Sequence, residues 1–227
     1  MGQECGPLDV KPLAAQIDAE IRALPVRNTP NVRAIRRRYS KALKGARAQF
    51  VLDLTRELVQ EYGYRGSAYE LIASHRRAFQ SLDPAVVEDL GRGINSWWAV
   101  DSFARTLAGP AWRDGLLPDA LIYRWAGSED RWWRRAALVC TVALNVRSRG
   151  GRGDVPRTLA VCRTLVGDHD DMVVKALSWA LRELVVHDAQ AVRDFLDKHE
   201  PVLAARVKRE VRNKLRTGLK NPRRTGC

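Results

Sequence analysis

Cysteine pairs spaced for a metal or a redox centre are missing from this sequence. Its four cysteines, Cys5, Cys140, Cys162 and Cys227, stand far apart, and no C-x-x-C occurs. The four histidines, His75, His169, His187 and His199, are scattered without the spacing of metal ligands. No metal and no cofactor are therefore expected, and Cys140 and Cys162, set in apolar helical runs, read as reduced core residues. Apolar runs approaching the roughly 18 residues of a membrane span are absent too. The start, MGQECGPL, lacks a secretory core because Asp9 and Lys11 interrupt it, and Gly6 stands where a myristoylation signal wants Ser or Thr. The expected location is cytoplasmic. Strand patterning is almost absent, as are nucleotide-binding loops and nucleophile triads. One further absence is local: Arg33 to Arg47 contains no acidic residue.

What is present is positive charge. Lys and Arg number 39 against 26 Asp and Glu, a net +13 over 227 residues. A chain this basic points to a polyanion, with nucleic acid preferred over a merely soluble or ribosome-associated basic protein. Arg33, Arg37, Lys41 and Lys44 recur at steps of four, four and three, which makes one helical stripe suited to tracking phosphates. A second basic cluster runs from Arg206 to Arg216 with Glu210 as its only acid. RSRGGRG, Arg147 to Gly153, reads as a flexible basic loop.

Helical periodicity fills the rest. About twelve amphipathic segments, joined by short turns, pair at intervals of roughly 35–45 residues. In TPNVRAIRRRYSKALKG, Thr29 reads as the cap, Pro30 as the first turn and Gly45 as the stop. SAYELIASHRRAFQ reads as one helix, and SWWAVDSFARTLAG as a helix stopped by Gly109 and Pro110. The expected fold is all-α: a right-handed-type, HEAT-like helical-repeat solenoid with a concave basic groove. An irregular helical bundle is the competing architecture. One repeat domain is expected over 1–217, followed by a basic flexible tail, 218–227.

Three of these helices carry tryptophan beside an ionisable residue. Trp97 and Asp101, four apart, share a helix face, while Trp98 is expected to turn elsewhere, inward. Trp132 and Arg135 share a face, and Arg134 points away from them. Lys175 shares a face with Trp179, as does Trp179 with Arg182 or Glu183. Taken singly, each tryptophan is more simply a core residue. Together, on a strongly basic repeat protein, they suggest a groove wall.

SWWAVD, RWWRRAALV and VVKALSWALREL, in that order, resemble the signature segments of the AlkD-type DNA alkylation repair glycosylases, bacterial proteins of HEAT-like repeats. The resemblance spans roughly Pro30 to Leu184. It implies excision of N3- and N7-alkylated purines from duplex DNA by a monofunctional glycosylase, with the lesion left stacked rather than flipped, in a bacterial cytosol or nucleoid. It places the catalytic carboxylate on Asp101, groove-lining indoles on Trp97 and Trp179, and a DNA-backbone contact on Arg135. Lys175 and Arg182 are expected to support the backbone alongside Arg33, Arg37, Lys41 and Lys44, and the protein is expected to act as a monomer. The N-terminal segment departs from the family: Leu8 to Ile35 has no tyrosine, and PVRNTP replaces a Phe-Leu-Gly segment.

The residues suit that chemistry. A purine alkylated at N3 or N7 is cationic and leaves without a general acid. Positive charge then develops on the deoxyribose, where a carboxylate and indole faces stabilise it. The competing function is a non-catalytic DNA-binding or scaffold protein of the same fold.

Overall fold

A computed structural model of the chain describes residues 9–222. Cys5, Cys227 and the end of the expected tail, 223–227, lie outside them. All regular structure among the described residues is helical. The chain divides into two compact units, 1–92 and 93–227.

The first unit contains α1 (Val10–Arg22), α2 (Thr29–Ala42), α3 (Ala48–Gln60), α4 (Arg65–Ser74), α5 (Arg76–Gln80) and α6 (Pro84–Gly91). Asn28, not Thr29, caps α2, its side chain accepting from the Asn31 amide at 3.0 Å. Asn is as good a cap as Thr, and Pro30 suits either register. The segment read as one helix, 67–80, is two. Buried His75 sits between α4 and α5, and its Nδ1 accepts from the Ala78 amide at 3.1 Å, so a ring nitrogen acts as the cap. Helices pack on their neighbours in sequence, α3 on α4 most extensively, and also one element further on: α1 lies on α3, and α2 lies on α4.

The second unit contains α7 (Trp97–Phe103), α8 (Gly109–Arg113), α9 (Asp119–Ala126), α10 (Arg131–Asn145), α11 (Val155–Thr164), α12 (Asp171–Leu184), α13 (Ala189–Lys198) and α14 (Ala205–Thr217). The same pattern holds. One layer runs α8, α10, α12, α14, and a second joins α9 to α11. Stacked helix pairs produce this skipping pattern, because each pair buries its apolar face on the next. Helix α10 is the centre of the unit. From Arg135 to Asn145 it is buried on every side, which is why its sequence there is apolar apart from Arg135, Thr141 and Asn145.

Gly109 and Pro110 do not stop a helix. A π turn, Ala104–Ala108, carries α7 straight into α8, so the run continues to Arg113. The Gly109 amide reaches back to the Ala104 carbonyl, widening the helix just ahead of a proline ring that would otherwise strike the preceding turn. Gly109 is there for contact: a Cβ on it would lie 2.6 Å from the Ala104 oxygen and 2.8 Å from Ala143 Cβ. With α7 and α8 counted as one, the described residues hold 13 helices, one more than expected because of the break at His75.

The loop 147–153 is tied down rather than loose. The Arg152 and Gly153 amides donate to the Leu144 carbonyl at 3.0 and 3.1 Å, and Gly151 donates to Val146 at 3.0 Å. Gly153 has φ +90°, and a Cβ on it would lie 2.6 Å from His187 Nδ1. After α14, Gly218 turns in the left-handed region, and the chain returns toward the helix as the Asn213 side chain donates to the Lys220 carbonyl at 3.1 Å. Cys140 and Cys162 are fully buried free thiols, with burial pushing both pKa values up.

Candidate active site

Helix α7 begins where Ser96 Oγ accepts from the Ala99 amide, at 3.3 Å. Its inner face, Ala99, Val100 and Phe103, is buried. Phe103 meets the edge of Trp133 on α10 at 5.8 Å between centroids, and Trp133 packs on Trp125 of α9 at 4.8 Å. This aromatic cluster fixes α7 against α10. Trp97 and Trp98 are left exposed, at 58% and 49%. Trp98 therefore does not turn inward as expected. At the start of a helix a second indole has no neighbouring turn to cover it.

One turn after Trp97, Asp101 meets Arg135 of α10. Arg135 Nε donates to Asp101 Oδ1 at 3.1 Å, and Nη2 donates to Oδ1 at 2.9 Å and to Oδ2 at 3.1 Å. The remaining arm, Nη1, donates to the Met172 carbonyl on α12 at 2.6 Å. The side chains are only 17% and 6% exposed. Arg135 is thus a buried strut spanning α7, α10 and α12, with its fork turned to a carboxylate. Oδ1 accepts twice and Oδ2 once, which leaves a lone pair of Oδ2 open. Burial pushes the Asp101 pKa above the ordinary carboxylate value, while Arg135 and then Arg105 pull against it.

Trp179 stands on α12 with its indole held from two sides. Its Nε1–H donates to Glu183 Oε1 at 2.9 Å, and the Arg105 guanidinium lies over its ring, 5.1 Å from the centroid. Asp101, Arg105, Arg135 and Trp179 are therefore neighbours, drawn from α7, the π turn, α10 and α12. Lys175, one turn before Trp179, pairs with Asp171 at 2.6 Å. Arg182 is largely enclosed: its Nε donates to Ser178 Oγ at 3.3 Å and lies 3.9 Å from buried Glu210. Glu210 is the single acid of the C-terminal basic run, and it serves as the inward anchor of α14. Trp132 carries Arg131 over its ring at 4.9 Å, and Arg134 faces away to Asp168 at 2.7 Å.

In the first unit the basic stripe is real but unequal. Arg33 and Arg36 both bond Glu70, each Nε at 2.9 Å. Arg37, Lys41 and Lys44 are exposed. They enter no ion pair among the described residues.

Sequence reasoning passed over Arg105. The signal was available, since Arg105 follows Asp101 by the same four residues that separate Asp101 from Trp97. Among the described residues no cluster of His, Cys, Asp and Glu could hold a metal ion, and no helix is long and apolar enough to cross a membrane.

A family model described as DNA alkylation repair enzyme matches residues 12–215. No curated protein and no solved structure matches the chain significantly. The family match takes in both compact units and every helix that contributes to the site. The chain belongs to the DNA alkylation repair enzyme family, and DNA is the partner that membership implies.

Proposed function

We propose that the protein is a monofunctional DNA glycosylase that excises cationic N3- and N7-alkylated purines from duplex DNA. The observation that carries this reading is the Asp101 carboxylate, mostly buried, gripped by three hydrogen bonds from Arg135 and lying one helical turn from an exposed indole. An anion oriented in this way does not have to reorganise when positive charge appears beside it.

The reaction needs little else. The alkylated purine already carries a positive charge. As the C1′–N9 bond breaks, its electron pair leaves with the purine, which becomes neutral, and the sugar takes up the charge. Asp101 stabilises that sugar cation through the open side of Oδ2. Water adds to C1′, the surplus proton passes to Asp101 or to solvent, and an abasic site remains. Trp97 supplies an exposed indole face, worth about 0.5–2 kcal/mol toward a cation, and Trp179, which already carries Arg105 over its ring, lines the same site. Arg135 acts on the carboxylate and is not a phosphate ligand in this scheme. The backbone is held by other cations, with Arg37, Lys41 and Lys44 the exposed candidates.

The test is release of free N7-methylguanine or N3-methyladenine from methylated duplex DNA by the purified protein. Release of the base, leaving an alkali-labile site, is the expected result. Binding to several alkylated duplexes without release of any base would instead make the chain a non-catalytic DNA-binding member of its family.

A further inference from the structure

The π turn presents a guanidinium without an acidic partner. Arg105 makes no salt bridge and no hydrogen bond among the described residues, and its Nε is buried without an acceptor. Two carboxylates act on it electrostatically, Asp101 and Glu183, but both are committed. Asp101 is held by Arg135, and Glu183 accepts the indole N–H of Trp179. A third charge, Arg149 on the tied loop, acts on Arg105 with the same sign. Arg149 is itself exposed and pairs with no acid among the described residues.

Leaving a half-buried cation without an anion, its Nε shut off from water, is unfavourable. Stacking on an indole offsets part of this, about 0.5–2 kcal/mol, and leaves the planar fork unpaired. A cation kept in this condition beside a candidate nucleotide site is suited to a ligand that arrives with its own negative charge. A phosphodiester fits: it carries one charge, and its two free oxygens match the guanidinium fork. The direction fits as well. Arg105 lies beyond Asp101 on the same helix, on the side away from Trp97, where the backbone of a nucleotide whose sugar faces Asp101 would continue.

We propose that Arg105 forms a phosphate subsite for DNA, against Trp179 and one helical turn beyond Asp101. In it, Arg105 holds a backbone phosphate flanking the nucleotide whose sugar faces the carboxylate. This rests on reading the α7–α10–α12 face as the DNA-contacting face, but not on any excision taking place.

The experiment measures affinity for an unmodified duplex as a function of salt, for the full chain and for Arg105→Gln and Arg105→Lys. Each lost phosphate contact lowers the slope of log K against log salt by about 0.9. The expected result is a decrease of about 0.9 for Arg105→Gln and a retained slope for Arg105→Lys, with Tm unchanged or raised in Arg105→Gln. An unchanged slope in Arg105→Gln would overturn the subsite. A Tm loss of several degrees in Arg105→Gln with its slope retained would also overturn it, because Arg105 would then be packing for Trp179. So would a slope lost equally in Arg105→Lys, which would assign the effect to side-chain shape. If the unsubstituted protein excises nothing while the slope falls as expected, the subsite stands and the glycosylase reading fails.

Discussion

Replacing Asp101 by asparagine separates charge from shape, and the structure sets what it should cost. Asn keeps an oxygen that can still accept from Arg135, but it loses the charge. Unit charges about 4 Å apart attract by about 4 kcal/mol at the effective dielectric near 20 that suits protein sites. Burial of the carboxylate, the leading cause of its raised pKa, takes back much of that attraction. The expected net loss is about 1–3 kcal/mol, the usual cost of leaving a buried polar group short of its partner. For a chain of this size that is a Tm fall of about 2–12 °C. Lost stability alone would therefore not distinguish a catalytic carboxylate from a structural one. A second variant does so: Asp101→Leu with Arg135→Met replaces the whole ion pair by apolar side chains, a change that is often neutral or stabilising. Circular dichroism melts and release of N7-methylguanine from methylated duplex are then measured on both proteins. Stability should return in the double variant, while excision stays at least about 10²-fold below the unsubstituted protein in both. Near-normal excision by either variant would refute the reasoning, since neither retains the negative charge.

Three further outcomes follow from the same geometry. Excision should have an acid limb set by Asp101, whose raised pKa means that the active anion is lost on the way down at a higher pH than for a free aspartate, and Arg135→Met should move the limb higher still. In the first unit, Arg37→Gln and Lys41→Gln should each reduce the salt slope of duplex binding, whereas Arg33→Gln should reduce it less because Glu70 already pairs with Arg33. Gly153→Ala should lower Tm, because the residue has φ +90° and its new methyl would lie 2.6 Å from His187 Nδ1; a variant that melts like the parent would show that the loop yields.

What could be read in the sequence was what depends on spacing along one helix. The number of helices came out one short, and the difference sits at His75, where a ring nitrogen does the work of a cap while Ser74 turns its hydroxyl back to the Leu71 carbonyl. Gly109–Pro110 carried a stop signal that a π turn overrides, since Gly109 is there for its contact with Ala104 and Ala143. The sharing of one face by Trp97 and Asp101, by Trp132 and Arg135, and by Lys175 and Trp179 follows from four- and three-residue steps. What lies opposite those faces does not follow from them. Asp101 and Arg135 are 34 residues apart, and Arg33 and Glu70 are 37 apart. Periodicity says which side of a helix is covered without saying by what. For the same reason Arg182 looked available in the sequence, while the structure turns it toward Ser178 and Glu210.

If Asp101 serves a glycosylase whose substrate is held on this face, pairing it with Arg135 looks at first like a waste of a carboxylate needed to stabilise a cation. The electrostatics of the partner argue otherwise. A bare anion in a DNA-binding face would repel phosphates, and a bare anion as buried as Asp101 would tend to take up a proton. Arg135 counters both effects. It brings the local charge close to neutral while DNA approaches, and it pulls against the burial that raises the Asp101 pKa. The three hydrogen bonds also fix the carboxylate plane, so the open lone pair of Oδ2 keeps its direction before any substrate arrives. On the glycosylase reading, positive charge then appears on the sugar beside an anion that is already oriented, and it attracts that anion only in the transition state. An interaction absent from the ground state and present at the barrier is the kind that raises rate rather than affinity. The arrangement therefore predicts a separation of effects: changes at Asp101 and Arg135 should appear mainly in the rate of base release, and changes at Arg37, Lys41 and Lys44 mainly in the salt-dependent binding of duplex.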